Sequence, residues 1–253
     1  MATLKISALN IDTQSKDRER NLINIERALE NSVSDVILLP EMFTTGFYMD
    51  TGAIAEQNME TLLWMKNFAK KKNAAVCGSI SVKENSLFFN RCYFVKPSGE
   101  FVSYDKRHLF SYSGEQNIYT AGNTRKIVEY NGSRFLLQIC YDLRFPVFSR
   151  NNNDYDIALY LANWPKQRIE AWNTLLKARA IENQAYIFGV NRIGTDKNGL
   201  HYPESTQCFF ADGQLVSQRD GSIISAEVSL EKLFEFRKRF CFLADRDSFE
   251  LNL

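Results

Sequence analysis

The stretch Val36-Ile37-Leu38-Leu39-Pro40-Glu41 decides the fold. Four consecutive aliphatic side chains closed by a proline are too few for a helix and lack the alternation of a half-exposed strand, so they read as a strand buried on both faces. Such a strand lies in a sheet covered above and below by helices, and the neighbouring sequence provides them. Residues 4–11 alternate as a strand, and Leu22, Ile25, Ala28 and Leu29 recur at helical spacing within 17–32. A second helix over 58–72 closes on Lys70, Lys71 and Lys72, cations placed where the negative end of the helix dipole favours them.

Beyond this core, 74–82 and 87–96 read as consecutive strands, and Pro97-Ser98-Gly99 is a turn that returns the chain into 101–104. Strands follow over 134–139, 156–162 and 185–191, with a helix over 167–183 between the last two. Residues 207–210, 215–218 and 222–228 read as terminal strands joined at Asp212-Gly213 and Asp220-Gly221. No Pro/Gly/Ser-rich linker, fixed-period repeat or long charge block divides the chain, so one domain is expected over residues 1–253. Strands that alternate with helices and then give way to hairpins argue for an α/β or α+β fold with both sheet faces covered.

The composition excludes several function classes. Lys plus Arg number 31 and Asp plus Glu 30, a net charge of +1 that lacks the basic footprint of a nucleic-acid binder. No apolar run is long enough to span a bilayer, and the first ten residues lack the charged-then-apolar pattern of an export signal, so neither a membrane partner nor secretion is expected and a cytoplasmic protein is. Cys77, Cys92, Cys140, Cys208 and Cys241 are scattered and odd in number, with His108 and His201 the only histidines. This pattern disfavours a disulfide scaffold and a zinc site, and it predicts that at least four of the five are buried, inert thiols.

Polar groups just past apolar strands are the candidates for chemistry, because ligand crevices in such sheets open at strand ends. Glu41, Cys140 and the pair Asn163-Trp164 all stand there. A cysteine nucleophile needs a base, since a free thiol is mostly protonated at neutral pH. His108 and His201 lie in segments unlike those of papain-type proteases, whereas Glu41, desolvated at the end of a doubly buried strand, suits the task. Lys106, in Tyr104-Asp-Lys-Arg-His-Leu-Phe110, is the candidate donor for a developing oxyanion. Taken singly, each has a plain structural reading as capped carboxylate, solvated lysine or core thiol.

Together the three resemble the nitrilase superfamily of carbon-nitrogen hydrolases, and within it the omega-amidase branch. The resemblance is carried by Leu38-Leu-Pro-Glu41, by Tyr104-Asp-Lys106-Arg-His-Leu-Phe110 and by Cys140-Tyr-Asp-Leu-Arg-Phe-Pro146. It continues through Tyr160-Leu-Ala-Asn-Trp-Pro165 and Ala178-Arg-Ala-Ile-Glu-Asn183, and it is least close at Phe240-Cys-Phe-Leu243. It implies a four-layer α-β-β-α sandwich, a homodimer and a Glu41, Lys106, Cys140 catalytic triad, with no metal or organic cofactor. It further implies that Glu115 supports the triad and that the backbone N–H of Tyr141 helps hold the oxyanion; for Glu115 an exposed loop carboxylate is the alternative. The implied substrate is a small keto-dicarboxylic monoamide, 2-oxoglutaramate or 2-oxosuccinamate. Its free carboxylate would meet Arg144, unless that arginine instead pairs with Asp142 or another structural carboxylate to fix the turn after the nucleophile. Phe47 and Trp164, and with them Phe43 and Phe110, are candidate pocket walls whose alternative is the core. An N-carbamoyl amide hydrolase, a nitrilase proper and a non-catalytic dimeric binding protein are the competing functions. An amidotransferase half would need a fused synthetase domain or a partner, and 253 residues are too few to contain such a domain.

Overall fold

A computed structural model describes residues 3–251. In chain order its elements are β1 (Thr3–Leu9), α1 (Arg18–Ala28), β2 (Val36–Leu38), α2 (Thr51–Ile54), α3 (Glu60–Lys72), β3 (Ala75–Glu84), β4 (Leu87–Val95) and β5 (Phe101–Asp105). There follow β6 (Ile127–Tyr130), β7 (Ser133–Ile139), β8 (Ile157–Ala162), α4 (Ile169–Asn183), β9 (Tyr186–Asn191), β10 (Gly194–Thr195) and β11 (His201–Tyr202). The chain ends with β12 (Gln207–Phe209), β13 (Gln218–Asp220), β14 (Ile223–Ser229) and α5 (Leu230–Arg239). One sheet has the order β13-β14-β1-β2-β3-β4-β5 and a second the order β12-β9-β8-β7-β6, while β10 and β11 form a separate hairpin.

The side-chain period of two sorts each central strand between two cores. Val36 and Leu38 of β2 point with Ile6, Ala8 and Phe94 into a core shared with Leu137, Ile139, Leu159, Leu161 and Phe188 of the second sheet. Ile37 and Leu39 point the other way, against Ile25 of α1, Leu29 just after that helix, and Leu62, Met65 and Phe68 from α3. In the second sheet Ala158, Tyr160 and Ala162 face outward onto Trp172, Leu176 and Ala180 of α4. Helix, sheet, sheet and helix are thus four successive layers, the α-β-β-α arrangement that the family resemblance implies. Gly189 sets the closeness of the last contact, since a Cβ there would lie 2.3 Å from Leu176 Cδ1 and 2.8 Å from Trp172 Cζ2.

Three expectations are corrected, and two elements are added. The strand expected at 215–218 is displaced, because Leu215 bridges Phe209 and the Ser217 hydroxyl accepts from the Cys208 N–H, holding that segment on the second sheet before β13 joins the first. Helix α5, capped by the Ser229 hydroxyl accepting from Lys232 N, and the edge strand β6 are additional elements. Phe43 lies wholly in the core beside Trp64, away from the cavity described below. Cys77, Cys92 and Cys208 are buried, but Cys241 is exposed in the turn after α5, so fewer cysteines are core than predicted. Among the described residues no helix is long and apolar enough to cross a membrane.

Candidate active site

Glu41 stands three residues beyond β2, where the chain turns sharply through Met42 at a φ of 47° and the Met42 N–H is pinned to Ser79 Oγ at 3.0 Å. Its fully buried carboxylate is saturated with donors, as a buried charge must be. Oε1 accepts from Lys106 Nζ at 2.9 Å and Asn90 Nδ2 at 2.8 Å, and Oε2 from the Asn163 backbone N–H at 2.9 Å and Asn163 Nδ2 at 3.2 Å. Lys106 follows β5 directly, its own N–H donating to Asn90 O at 2.9 Å. Its ammonium also reaches Glu115, 2.9 Å from Oε2 and 3.1 Å from Oε1. Burial disfavours that charge, but the carboxylates of Glu115 and Glu41 outweigh it and hold Lys106 above the usual lysine range. Burial likewise pushes the Glu115 carboxyl up, against the pull of Lys106, with the Glu41 charge adding to the rise. Glu115 is therefore no exposed loop residue: it is fully buried, and the Phe110 N–H donates to it at 2.6 Å.

Cys140 begins the turn at the end of β7 with a φ of 45°, a left-handed conformation that costs a non-glycine residue of order 1–3 kcal/mol and persists only where neighbours fix it. Asp142 does the fixing. Its Oδ2 accepts from the Ile139 N–H at 2.8 Å and the Tyr104 hydroxyl at 2.7 Å, while its Oδ1 accepts from the His108 N–H at 2.9 Å and lies 2.8 Å from His108 Nδ1. These bonds occupy Asp142 fully. Arg144 consequently does not pair with it, and its guanidinium lies 5.0 Å above the Trp164 ring instead. Cys140 borders the cavity and is only partly covered, yet loss of bulk solvation, followed by the adjacent Glu41 charge, pushes its thiol well up despite Lys106.

The Cys140, Glu41 and Lys106 side chains open on one cavity of about 620 Å³. Its walls include Phe47, Phe110, Tyr141, Arg144, Trp164 and Arg168. Lys106 Nζ is 5.2 Å from the centre of the Phe47 ring, and the rings of Phe110 and Tyr141 meet edge to face at 5.0 Å. The site thus brings together every residue singled out in the sequence except Phe43. Asn90 was missed, since a polar residue within β4 carries no signal of its own. Asn163, recognised only as a strand-end residue, binds Glu41 through both its backbone N–H and its side chain, the latter also donating to Glu41 O at 2.8 Å. Arg168 and Tyr202, the second from the β10–β11 hairpin, were not foreseen as cavity walls either. Chemically, the assembly offers a thiol beside a carboxylate that can take its proton, and an ammonium fixed where negative charge could develop.

The chain is similar to several known proteins. The model of the carbon-nitrogen hydrolase family matches residues 5–238. The chain is 45% identical to the omega-amidase YafV of Yersinia enterocolitica, over 99% of this chain and 100% of that protein. It is 30% identical to a 2-oxoglutaramate amidase of Bacillus subtilis, over 92% of this chain and 93% of that one. The crystal structure of XC1258 from Xanthomonas campestris, a CN-hydrolase superfamily protein with an arsenic adduct in its active site, superposes with a TM-score of 0.95 at 38% identity over the whole of both chains.

Proposed function

Because the chain belongs to the carbon-nitrogen hydrolase family, we propose that it is an omega-amidase, cleaving the terminal amide of a small keto-dicarboxylic monoamide such as 2-oxoglutaramate or 2-oxosuccinamate. The observation that carries this reading is 45% identity to an omega-amidase along the full length of both chains. The burial of Glu41 and Lys106 beside Cys140 supports the chemistry assigned to them.

In the proposed mechanism Glu41 accepts the thiol proton as Cys140 Sγ attacks the amide carbonyl carbon. The carbonyl oxygen becomes an oxyanion, held by the Lys106 ammonium and the Tyr141 backbone N–H, an effect worth about 3–4 kcal/mol for a well-placed donor. As the carbon–nitrogen bond breaks, Glu41 returns the proton to nitrogen and ammonia leaves. Water attacks the resulting thioester with Glu41 again taking a proton, and collapse of the second tetrahedral species releases the acid and restores the thiol. Glu115 keeps Lys106 charged and aimed, Arg144 meets the free carboxylate, and Phe47 and Trp164 wall the substrate. No step calls on a metal or organic cofactor. A homodimer of single-domain subunits, working in the cytoplasm, belongs to the same proposal.

Ammonia release from 2-oxoglutaramate, glutamine, asparagine, N-carbamoyl amino acids and a simple nitrile tests it. Turnover of the keto-monoamide is expected to dominate, and Cys140→Ala to abolish it while retaining the fold. Reaction only with carbamoyl compounds or the nitrile would move the protein to another branch, and full activity in Cys140→Ala would end the mechanism.

A further inference from the structure

A substrate with an amide at one end and a 2-oxo acid at the other needs recognition at both, and Arg144 supplies only one cation at the far end. The charges around the cavity identify a second. Lys106 is committed to Glu41 and Glu115, and Asp196 is committed to the Tyr202 hydroxyl at 2.9 Å and to the N–H groups of Asn198 and Leu200 at 2.9 and 3.0 Å. That leaves the guanidinium groups of Arg144 and Arg168, neither of which meets a carboxylate among the described residues.

Both are seated on aromatic rings rather than dispersed in solvent. Arg144 lies over Trp164, whereas Arg168 lies 5.0 Å above Phe110 and 6.0 Å above Tyr112. Trp164 ties the two together, since its face carries Arg144 and its Nε1 donates to the Arg168 carbonyl at 2.7 Å. Phe110 in turn contacts Tyr141, the residue after the nucleophile, which sets Arg168 one aromatic layer away from the thiol. Two unpaired guanidinium groups stacked around one cavity are a preorganised receptor for an anion with several acceptor oxygens. A 2-oxo acid, with two carboxylate oxygens and a neighbouring carbonyl, is such an anion, and one guanidinium fork alone cannot meet all three.

We propose that Arg168 is a specificity-determining residue, closing with Arg144 a two-guanidinium clamp on the 2-oxo acid end of the substrate. This rests on the omega-amidase reading above and adds to it the residue that selects an acidic amide over a neutral one.

The test compares kcat and KM of wild type, Arg168→Gln and Arg168→Lys on 2-oxoglutaramate and on butyramide, with inhibition by 2-oxoglutarate measured alongside. In Arg168→Gln the ratio of kcat/KM for the acidic over the neutral amide should fall about 10- to 100-fold, the range for a lost charge-assisted pair. The loss should appear mainly in KM, and inhibition by 2-oxoglutarate should weaken in step. Arg168→Lys should recover part of the ratio, because it restores charge but not the planar fork. An unchanged ratio in both variants, or an equal loss on both amides, overturns the role of Arg168. Failure of the wild type to release ammonia from both 2-oxoglutaramate and 2-oxosuccinamate overturns the omega-amidase reading itself.

Discussion

Cys140 combines two costs, a left-handed backbone and a thiol whose burial opposes ionisation. The first is offset by Asp142, which gathers the elbow through three donors from β7, Tyr104 and His108. On the proposed mechanism the second fixes the order of events, because a thiol pushed above its ordinary range remains protonated at neutral pH and would give its proton to Glu41 only as it attacks. The sign is testable: a raised thiol pKa means less thiolate at every pH below it. The ultraviolet absorbance that separates wild type from Cys140→Ala should show no thiolate midpoint up to pH 9, and Glu41→Gln, by removing a negative neighbour while keeping Lys106, should lower that midpoint. A wild-type midpoint below pH 9 would contradict this account. Glu41, Lys106 and Cys140 were legible in the sequence because each follows an apolar strand in a distinctive local motif. Asn90 and Arg168 were not, and Asn163 was legible only as a strand-end residue, since what they do depends on groups brought near by folding; the Asn163–Glu41 contact joins residues 122 positions apart.

Among the secondary-structure elements, the strands with both faces buried were the easiest to read, and the two-sided sorting of β2 shows why: every side chain is apolar whichever core it enters. What escaped were one helix rich in charged residues and one very short edge strand. Helix α5 carries buried Leu230 and Leu233 among charged residues, although Ser229 at its start and Arg237, Lys238 and Arg239 at its end are capping signals that could have revealed it. Edge strand β6 has four residues and pairs with β7 alone, too short a segment for periodicity to register. The junction between β9 and α4 is set by a missing side chain, so Gly189→Ala should drive a methyl into Leu176 and Trp172 and lower stability by about 1–3 kcal/mol. Chemical denaturation would read the loss, and an unchanged midpoint would mean the helix can retreat freely from the sheet.

For the molecule as a whole, the four layers and the three cores follow from strands that each serve two faces, while the order in which strands join the two sheets was not legible. Local periodicity names a strand but not its neighbours, and β14 pairs with β1 from the far end of the chain. The homodimer is the remaining proposal at this level. Light scattering of the purified protein at micromolar concentration is expected to give twice the 29.2 kDa chain mass, and a monomer there would overturn it.

The division of the site between the two sheets has a consequence for the chain while it is still being made. Glu41 and Lys106 hang from strands of one sheet, Cys140 from the other, and the Asn163–Glu41 contacts close the gap only once the sheets have met. A nascent or half-folded molecule carrying either sheet alone therefore has its sulfur parted from the Glu41 carboxylate. On the proposed mechanism its hydrolytic power is switched on by the last docking event, so that turnover itself reports successful maturation.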